Sequence, residues 1–277
     1  MKELLEIAIK AAIKAGDIIE DIYENDDFEL EIKQDNTPLT KADKEANAII
    51  NVFLAKTLIP IISEENKEIE YEKRKHWEQC WVVDPLDGTK EFLKKNHEFT
   101  VNIALVENGK PILGVIFSPI SKELYYANVL DKKAYKITIR NDYDYSENWF
   151  DDTYRITPKN TDNAILKVIG SRSHMNDDTK KFINNLRAHY SSIEIISKGS
   201  SLKFCLIAEG KADIYPRFAP TMEWDTAAGQ AICESVGIHV ISKRTLQDLT
   251  YNKPNLLNSE FIVSNNALIF DEKWIKI

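Results

Sequence analysis

The sequence predicts an α+β half followed by an α/β half. Three observations carry this expectation. Two stretches of helical periodicity stand near the start. A series of apolar strands follows, two of them separated by Asn108-Gly109. After about residue 155, strands and helices alternate instead. The 277 residues suffice for two domain-sized units, and 43% hydrophobic with 29% charged residues is ordinary globular composition.

The elements are justified in order along the chain. Leu4, Leu5, Ala8, Ala11, Ala12, Ala15, Ile18, Ile19 and Ile22 recur at helical spacing and predict an amphipathic helix. Residues 28–32 alternate as a strand does, and the polar stretch 33–40, with Pro38, reads as a loop. Thr40 caps a second helix, with Asp43 in its first turn, that reaches about Lys56. Residues 59–62 form a short strand ending at Ser63-Glu64-Glu65. The charged run 64–79 reads as a solvated helix or loop. Trp81-Val82-Val83 is a buried strand that stops at Asp84-Pro85-Leu86-Asp87-Gly88-Thr89, a turn that opens a helix. Residues 99–106, 111–117 and 124–127 are antiparallel strands, the first pair joined by a hairpin turn at Asn108-Gly109. Residues 131–155, rich in Asp, Tyr, Asn and Lys, read as a linker or surface insertion. Beyond it, 166–169, 193–196 and 212–215 are strands, and 177–189, 202–208 and 226–236 are helices. The expected halves are 1–155 and 156–277.

Composition excludes several functions. A net charge of −8 and a pI near 5.3 make a nucleic acid polymer a poor partner. No stretch approaches the ~18 apolar residues of a membrane span. The start carries Glu3 and Glu6 within its apolar pattern, unlike a signal peptide. Cys80, Cys205 and Cys233 are scattered and odd in number, which reads as reduced thiols in a cytosolic-type compartment. The nucleotide-loop pattern fails at Gly109 and Gly114, because Val115 and Ile116 stand where Lys and Ser/Thr are needed. No Gly-x-Gly-x-x-Gly, Gly-x-Ser-x-Gly or His-Glu-x-x-His occurs.

Carboxylates at element ends remain. Asp84 and Asp87 flank Pro85-Leu86 just after a buried strand. Gathering two carboxylates is costly unless they share a proton or a cation, and a hard divalent ion such as Mg²⁺ accepts such oxygens together with a turn carbonyl. Gly88 and Thr89 begin a helix whose free N–H groups suit a phosphate. Glu64 ends another strand, and Asp225, in Glu223-Trp224-Asp225-Thr226, begins a later helix. Four such acids suit two Mg²⁺ ions about 3.5–4 Å apart, the arrangement of in-line phosphoryl displacement. Glu65 and Glu223 are candidates by adjacency only.

The string Asp84-Pro85-Leu86-Asp87-Gly88-Thr89, with Ser63-Glu64-Glu65 upstream and Trp224-Asp225-Thr226 downstream, resembles the lithium-sensitive, magnesium-dependent phosphatases related to inositol monophosphatase. Lys90-Glu91 after that string, the Lys198-to-Cys205 segment and Tyr215-Pro216-Arg217-Phe218 are similar to the CysQ-type 3′(2′),5′-bisphosphate nucleotidase branch. The likeness lapses at 131–155. It implies a five-layer αβαβα sandwich of the sugar-phosphatase type. It implies Glu64, Asp84, the Leu86 carbonyl, Asp87 and Asp225 as metal ligands for two Mg²⁺ ions. Thr89, bonded to Asp43, would position and deprotonate a water, with Glu64 also on the catalytic side. The Gly88 and Thr89 backbone would hold the scissile phosphate. Ser171, His174, Ser200 and Lys203 would hold the nucleotide. Lys33 and Asp35 fall in the loop that can serve a third, weaker metal site.

The implied reaction is loss of the 3′-phosphate from 3′-phosphoadenosine 5′-phosphate to give AMP, linked to sulfur assimilation. The implied location is cytoplasmic, with peripheral contact to the cytoplasmic face of the inner membrane as a minor expectation. Bland readings stand beside these: Asp43 as a first-turn acid, His174 as a cap, Lys203 as a solvated helix lysine, Ser200 as an N-cap. Trp224 and Phe204 read as packing groups. The competing functions are an inositol or sugar monophosphate phosphatase and a non-catalytic divalent-ion-binding module.

Overall fold

The computed structural model describes residues 1–26, 28–32, 38–140, 148–158, 165–170 and 176–264. The first half opens with α1 (Lys2–Asn25), then a two-residue hairpin, β1 (Glu31–Ile32) with β2 (Pro38–Leu39), then α2 (Lys41–Leu54). β3 (Ile61–Ser63), α3 (Tyr71–Arg74), β4 (Gln79–Asp87) and α4 (Thr89–Leu93) follow. β5 (Thr100–Glu107), β6 (Lys110–Ser118), β7 (Glu123–Asn128) and β8 (Lys133–Thr138) complete a six-stranded sheet in the order β3-β4-β5-β6-β7-β8. Only the β3–β4 pair in it is parallel.

The second half comprises β9 (Ile165–Gly170), α5 (Asp177–Leu186), β10 (Ser192–Ser197), α6 (Leu202–Ala208), β11 (Ile214–Arg217), α7 (Ala227–Glu234), β12 (His239–Ser242) and β13 (Phe261–Ser264). Its five strands lie in the order β10-β9-β11-β13-β12, with β13 antiparallel to both neighbours.

Strand alternation builds the layers. On β5, Val101, Ile103 and Leu105 point to one face and Ala104 and Val106 to the other. The first face packs under α1 and α2, through Leu5, Ile9, Ala12, Ile19, Ala46 and Ile50. The second packs on α6 and α7, whose far side meets Val240, Phe261 and Val263 of the second sheet. Phe182, Ile183 and Leu186 of α5 cover that sheet's outer face, against Leu166, Val168, Ile214 and Ile262. The five layers run α, β, α, β, α, as the family resemblance implies. α7 sits so close to β6 that a Cβ on Gly114 would lie 2.5 Å from the Ala228 carbonyl oxygen and 2.7 Å from the Ala231 Cβ.

Three expectations are corrected. The described parts of the segment, 131–140 and 148–155, are not a linker or surface insertion: β8 is the sixth strand, Trp149 is buried against Tyr126, and Ile156 N–H donates to the Ala134 carbonyl at 2.8 Å. Polar residues hid a strand that is buried on both faces, Tyr135 and Ile137 on one and Ala134 on the other. The strand at 81–83 does not stop at Asp84 but runs to Asp87. The run 64–79 is not wholly solvated. Arg74, 1% exposed, donates to the carbonyls of Ile69, Lys253 and Pro254 and to Asn252 Oδ1, tying the first half to the 252–254 segment. The sequence reading also passed over β12 and β13, which lie beyond its last helix. All three cysteines are free and buried. Among the described residues no helix is long and apolar enough to cross a membrane.

Candidate active site

The site begins with a flaw in the ladder. Asp84 pairs with Asn102 and Asp87 with Thr100, so three steps on β4 oppose two on β5. In a regular strand, residues three apart face opposite sides. The extra residue of this bulge brings both aspartates toward the same cavity. Asp84 Oδ1 accepts the Leu86 N–H at 3.0 Å, which holds the bulge closed. Gly88 follows at φ +97°, a conformation that favours glycine, and starts α4 at Thr89.

The third aspartate comes from the other half. Asp225 ends a 3₁₀ turn directly before α7, and its Oδ2 accepts the Met222 N–H at 2.8 Å. Carboxylate oxygens of Asp84, Asp87 and Asp225 all lie within 4.8 Å of one another. Glu64 lines the same cavity at the end of β3, its N–H bonded to the Val83 carbonyl at 3.2 Å.

Crowding shows in the electrostatics. Burial first, then the charges of Glu64, Asp87, Asp225 and Asp43, hold the Asp84 carboxyl well above the usual carboxylate range. Burial and the Asp87 charge push Asp225 up to about 7. An all-oxygen donor set whose members repel one another fits a hard divalent cation, which would replace the repulsion with attraction.

Thr89 stands beside this cluster. Its hydroxyl lies 3.2 Å from Asp43 Oδ1 and 3.3 Å from the Leu86 carbonyl oxygen. Asp43, buried at the start of α2, is held by Thr40: its Oδ2 accepts the Thr40 N–H at 2.7 Å and the Thr40 hydroxyl at 2.5 Å. Asp43 is therefore both the capping-box acid and the partner of Thr89.

The cavity, of about 240 Å³, has a second wall from the other half: Lys198, Gly199, Ser200, Ser201, Lys203, Phe204, Tyr215 and Arg217. Lys203 is no solvated helix lysine. It is 7% exposed, donates to the Ser200 carbonyl at 2.5 Å, and burial lowers its ammonium to about 8, opposed by Asp87. Ser200 does not cap α6; it takes φ +54° and its hydroxyl donates to Asp87 Oδ2 at 2.7 Å. Phe204 is a packing group, stacked on Phe261 and edge-on to Tyr215.

The structure thus brings Asp43, Glu64, Asp84, Leu86, Asp87, Gly88, Thr89, Ser200, Lys203 and Asp225 to one place. Lys33, Asp35, Ser171 and His174 lie outside the described residues. Glu223 does not join the cluster: fully buried, it binds Lys253 Nζ at 2.6 Å and the N–H groups of Asn252 and Lys253. Sequence reasoning missed four groups. Arg217 lines the cavity, and its Nε is buried without a hydrogen-bond partner among the described residues. Asn102, Thr100 and Ser201 form a polar web around Asp87: Ser201 Oγ donates at 2.7 Å and Asn102 Nδ2 approaches at 3.3 Å. Buried polar residues inside the apolar β5 were the available signal.

The sequence model of the inositol monophosphatase family matches residues 1–275. The 3′(2′),5′-bisphosphate nucleotidase CysQ of Salmonella typhimurium is 44% identical over 241 residues, 86% of this chain and 89% of that protein. The protein of the same name from Buchnera aphidicola is 41% identical over 269 residues, covering 95% of this chain and 94% of that one. Among solved structures, CysQ from Bacteroides thetaiotaomicron, described as a bacterial member of the inositol monophosphatase family, superposes with a TM-score of 0.83 at 46% identity, over 93% of this chain and 95% of that one. An IMPase from Thermotoga maritima superposes with a TM-score of 0.72 at 25% identity, over 100% and 97%.

Proposed function

This chain belongs to the inositol monophosphatase family, and from that premise we propose that it is a 3′(2′),5′-bisphosphate nucleotidase, releasing the 3′-phosphate of 3′-phosphoadenosine 5′-phosphate to leave AMP. The observation that carries the chemistry is the meeting of three carboxylates beside a Thr–Asp pair in a cavity walled by both halves. The observation that favours a nucleotide is the 41–44% identity to proteins of that name.

On this reading Glu64, Asp84, the Leu86 carbonyl, Asp87 and Asp225 would hold two Mg²⁺ ions, and the loop that carries Lys33 and Asp35 could contribute to a third, weaker site. What such ions supply is a water acidic enough to attack phosphorus and neutralisation of charge on the leaving oxygen. The chain's own residues do the rest. Asp43 Oδ1 accepts the Thr89 hydroxyl proton, which leaves lone pairs of Thr89 Oγ1 to accept the proton of the attacking water. Gly88 and Thr89 offer backbone N–H groups to the phosphoryl oxygens. Lys203 and Arg217 set positive charge on the far wall, suited to the second phosphate. Ser200, with Ser171 and His174, would hold the nucleoside.

On this reading the enzyme works in the cytoplasm, in keeping with three scattered cysteines, an odd number. A phosphate-release panel tests the function: 3′-phosphoadenosine 5′-phosphate, inositol 1-phosphate and sugar phosphates, each with and without Mg²⁺. The expected result is Mg²⁺-dependent release with the nucleotide preferred. Preference for inositol phosphate would favour the second reading, which family membership itself supports. Ion binding without turnover would favour a binding module.

A further inference from the structure

Asp87 is held from the opposite half of the molecule. Its Oδ2 lies 2.7 Å from the Ser200 hydroxyl, 2.7 Å from the Ser201 hydroxyl and 3.3 Å from Asn102 Nδ2. Its Oδ1 accepts no hydrogen bond among the described residues, and a carboxylate oxygen of Asp87 meets those of Asp84 and Asp225. Asn102 organises this web. It is 1% exposed, and its Nδ2 also donates to Ser201 Oγ at 2.8 Å, while its Oδ1 accepts the Thr100 hydroxyl at 3.0 Å. The neighbours fix the amide's orientation, because a flipped Asn102 would turn its oxygen toward Asp87. Ser201 Oγ, whose lone pairs face Asn102, also lies 3.0 Å from the Asp225 carbonyl oxygen. One hydroxyl of the 198–201 loop therefore touches two of the three clustered aspartates.

We propose that Asn102 is a positioning residue that, through Ser201, couples the carboxylate cluster to the 198–203 cavity wall, so that a divalent ion and a nucleotide each raise the other's affinity. The inference deepens the proposed function and rests on its assignment of ion and nucleotide to the two walls of one cavity. The physical basis is reciprocity: a ligand that orders the loop also orders Asp87, and an ion that orders Asp87 returns the same free energy to the loop. Buried webs of this kind transmit because each member is satisfied in one arrangement only.

The test titrates Mg²⁺ calorimetrically into the full-length wild type, Asn102→Asp and Ser201→Ala, each with and without saturating AMP. Asn102→Asp keeps the shape of the side chain and replaces the donor facing Asp87 by an acceptor. The expected result is an AMP-induced tightening of Mg²⁺ of at least about fivefold in the wild type, the low end of common couplings, that shrinks below about twofold in both variants. In turnover, the Mg²⁺ requirement should rise more than kcat falls. An equal AMP effect in wild type and folded variants overturns the coupling, as does no effect in the wild type. If Asn102→Asp does not fold, Ser201→Ala decides alone. Absence of phosphate release from 3′-phosphoadenosine 5′-phosphate counts against the proposed function, whereas turnover without the AMP effect counts against this inference only.

Discussion

The Thr89 hydroxyl lies 3.2 Å from Asp43 Oδ1, across 46 residues of sequence, and this contact joins the first turn of α2 to the first residue of α4. On the proposed mechanism, Thr89→Val and Asp43→Asn both remove the route by which a proton leaves the attacking water. Each should lower kcat by about 10²–10⁴, the usual reach of a lost general base. Asp43→Asn keeps an acceptor for Thr40, so its melting temperature should stay near that of the wild type, whereas Asp43→Ala should lose about 1 kcal/mol with the cap. A single-turnover phosphate assay with parallel thermal melts checks both.

Asp84→Asn should separate folding from function. Asp84 is buried among four acids that disfavour its charge. Removing that charge relieves repulsion, so without Mg²⁺ at pH 8 the variant should melt higher than the wild type, by about 2 °C or more if only ~1 kcal/mol is relieved. The added stabilisation by Mg²⁺ should shrink and turnover should be abolished. A lower melting temperature in metal-free buffer would contradict the crowding argument.

The sign of the pH effect follows from Asp225. Its carboxyl is pushed from 3.8 to about 7 by burial and by Asp87. Between those values the folded chain binds more protons than the unfolded one, so metal-free stability falls as pH rises, by at most about 1.4 kcal/mol per pH unit for each such group. Mg²⁺ competes with those same protons. Its affinity should weaken below about pH 7, by about tenfold per unit for one displaced proton. Urea melts and Mg²⁺ titrations at pH 5.5 and 8 should therefore move in opposite directions.

Lys253→Met should test the assignment of Glu223 as a structural acid. Glu223 is 0% exposed and bonded to Lys253 Nζ at 2.6 Å. Losing that partner leaves a buried carboxylate with only backbone donors, at a cost of about 2–3 kcal/mol, less than for a fully buried pair because Lys253 is partly exposed. Adding Glu223→Gln should recover much of the loss. Differential scanning calorimetry of the single and double variants measures it.

Much of the fold was legible because periodicity reports burial directly. α1, α6 and the β5–β6 hairpin fall where apolar spacing and Asn108-Gly109 place them. β8 was hidden because Lys133 and Lys136, one on each face, are charged and sit in a polar stretch. The bulge in β4 was invisible for another reason: Asp84-Pro85-Leu86-Asp87 has turn composition, and only the Asn102–Thr100 partners show that the ladder continues through it. Asp87, Glu64 and Asp225 were readable from their places at or beside element ends, and Asp84 from its spacing to Asp87, although it lies inside β4. The web around Asp87 was not, since Asn102 and Ser201 carry no local signature and lie 99 residues apart.

Gly114 has a reach well beyond its own strand. It lets α7 lie backbone-to-backbone on β6, and Asp225 sits just before α7 while Asp87 ends β4 of the same sheet. The gap between helix and sheet acts as a spacer whose thickness sets how far Asp225 stands from Asp87. A methyl group added at Gly114, remote from any reacting atom, would widen that spacer and be felt as a poorer fit for the ion. The spacing of the two aspartates is thus tied to a glycine on a different strand from either of them.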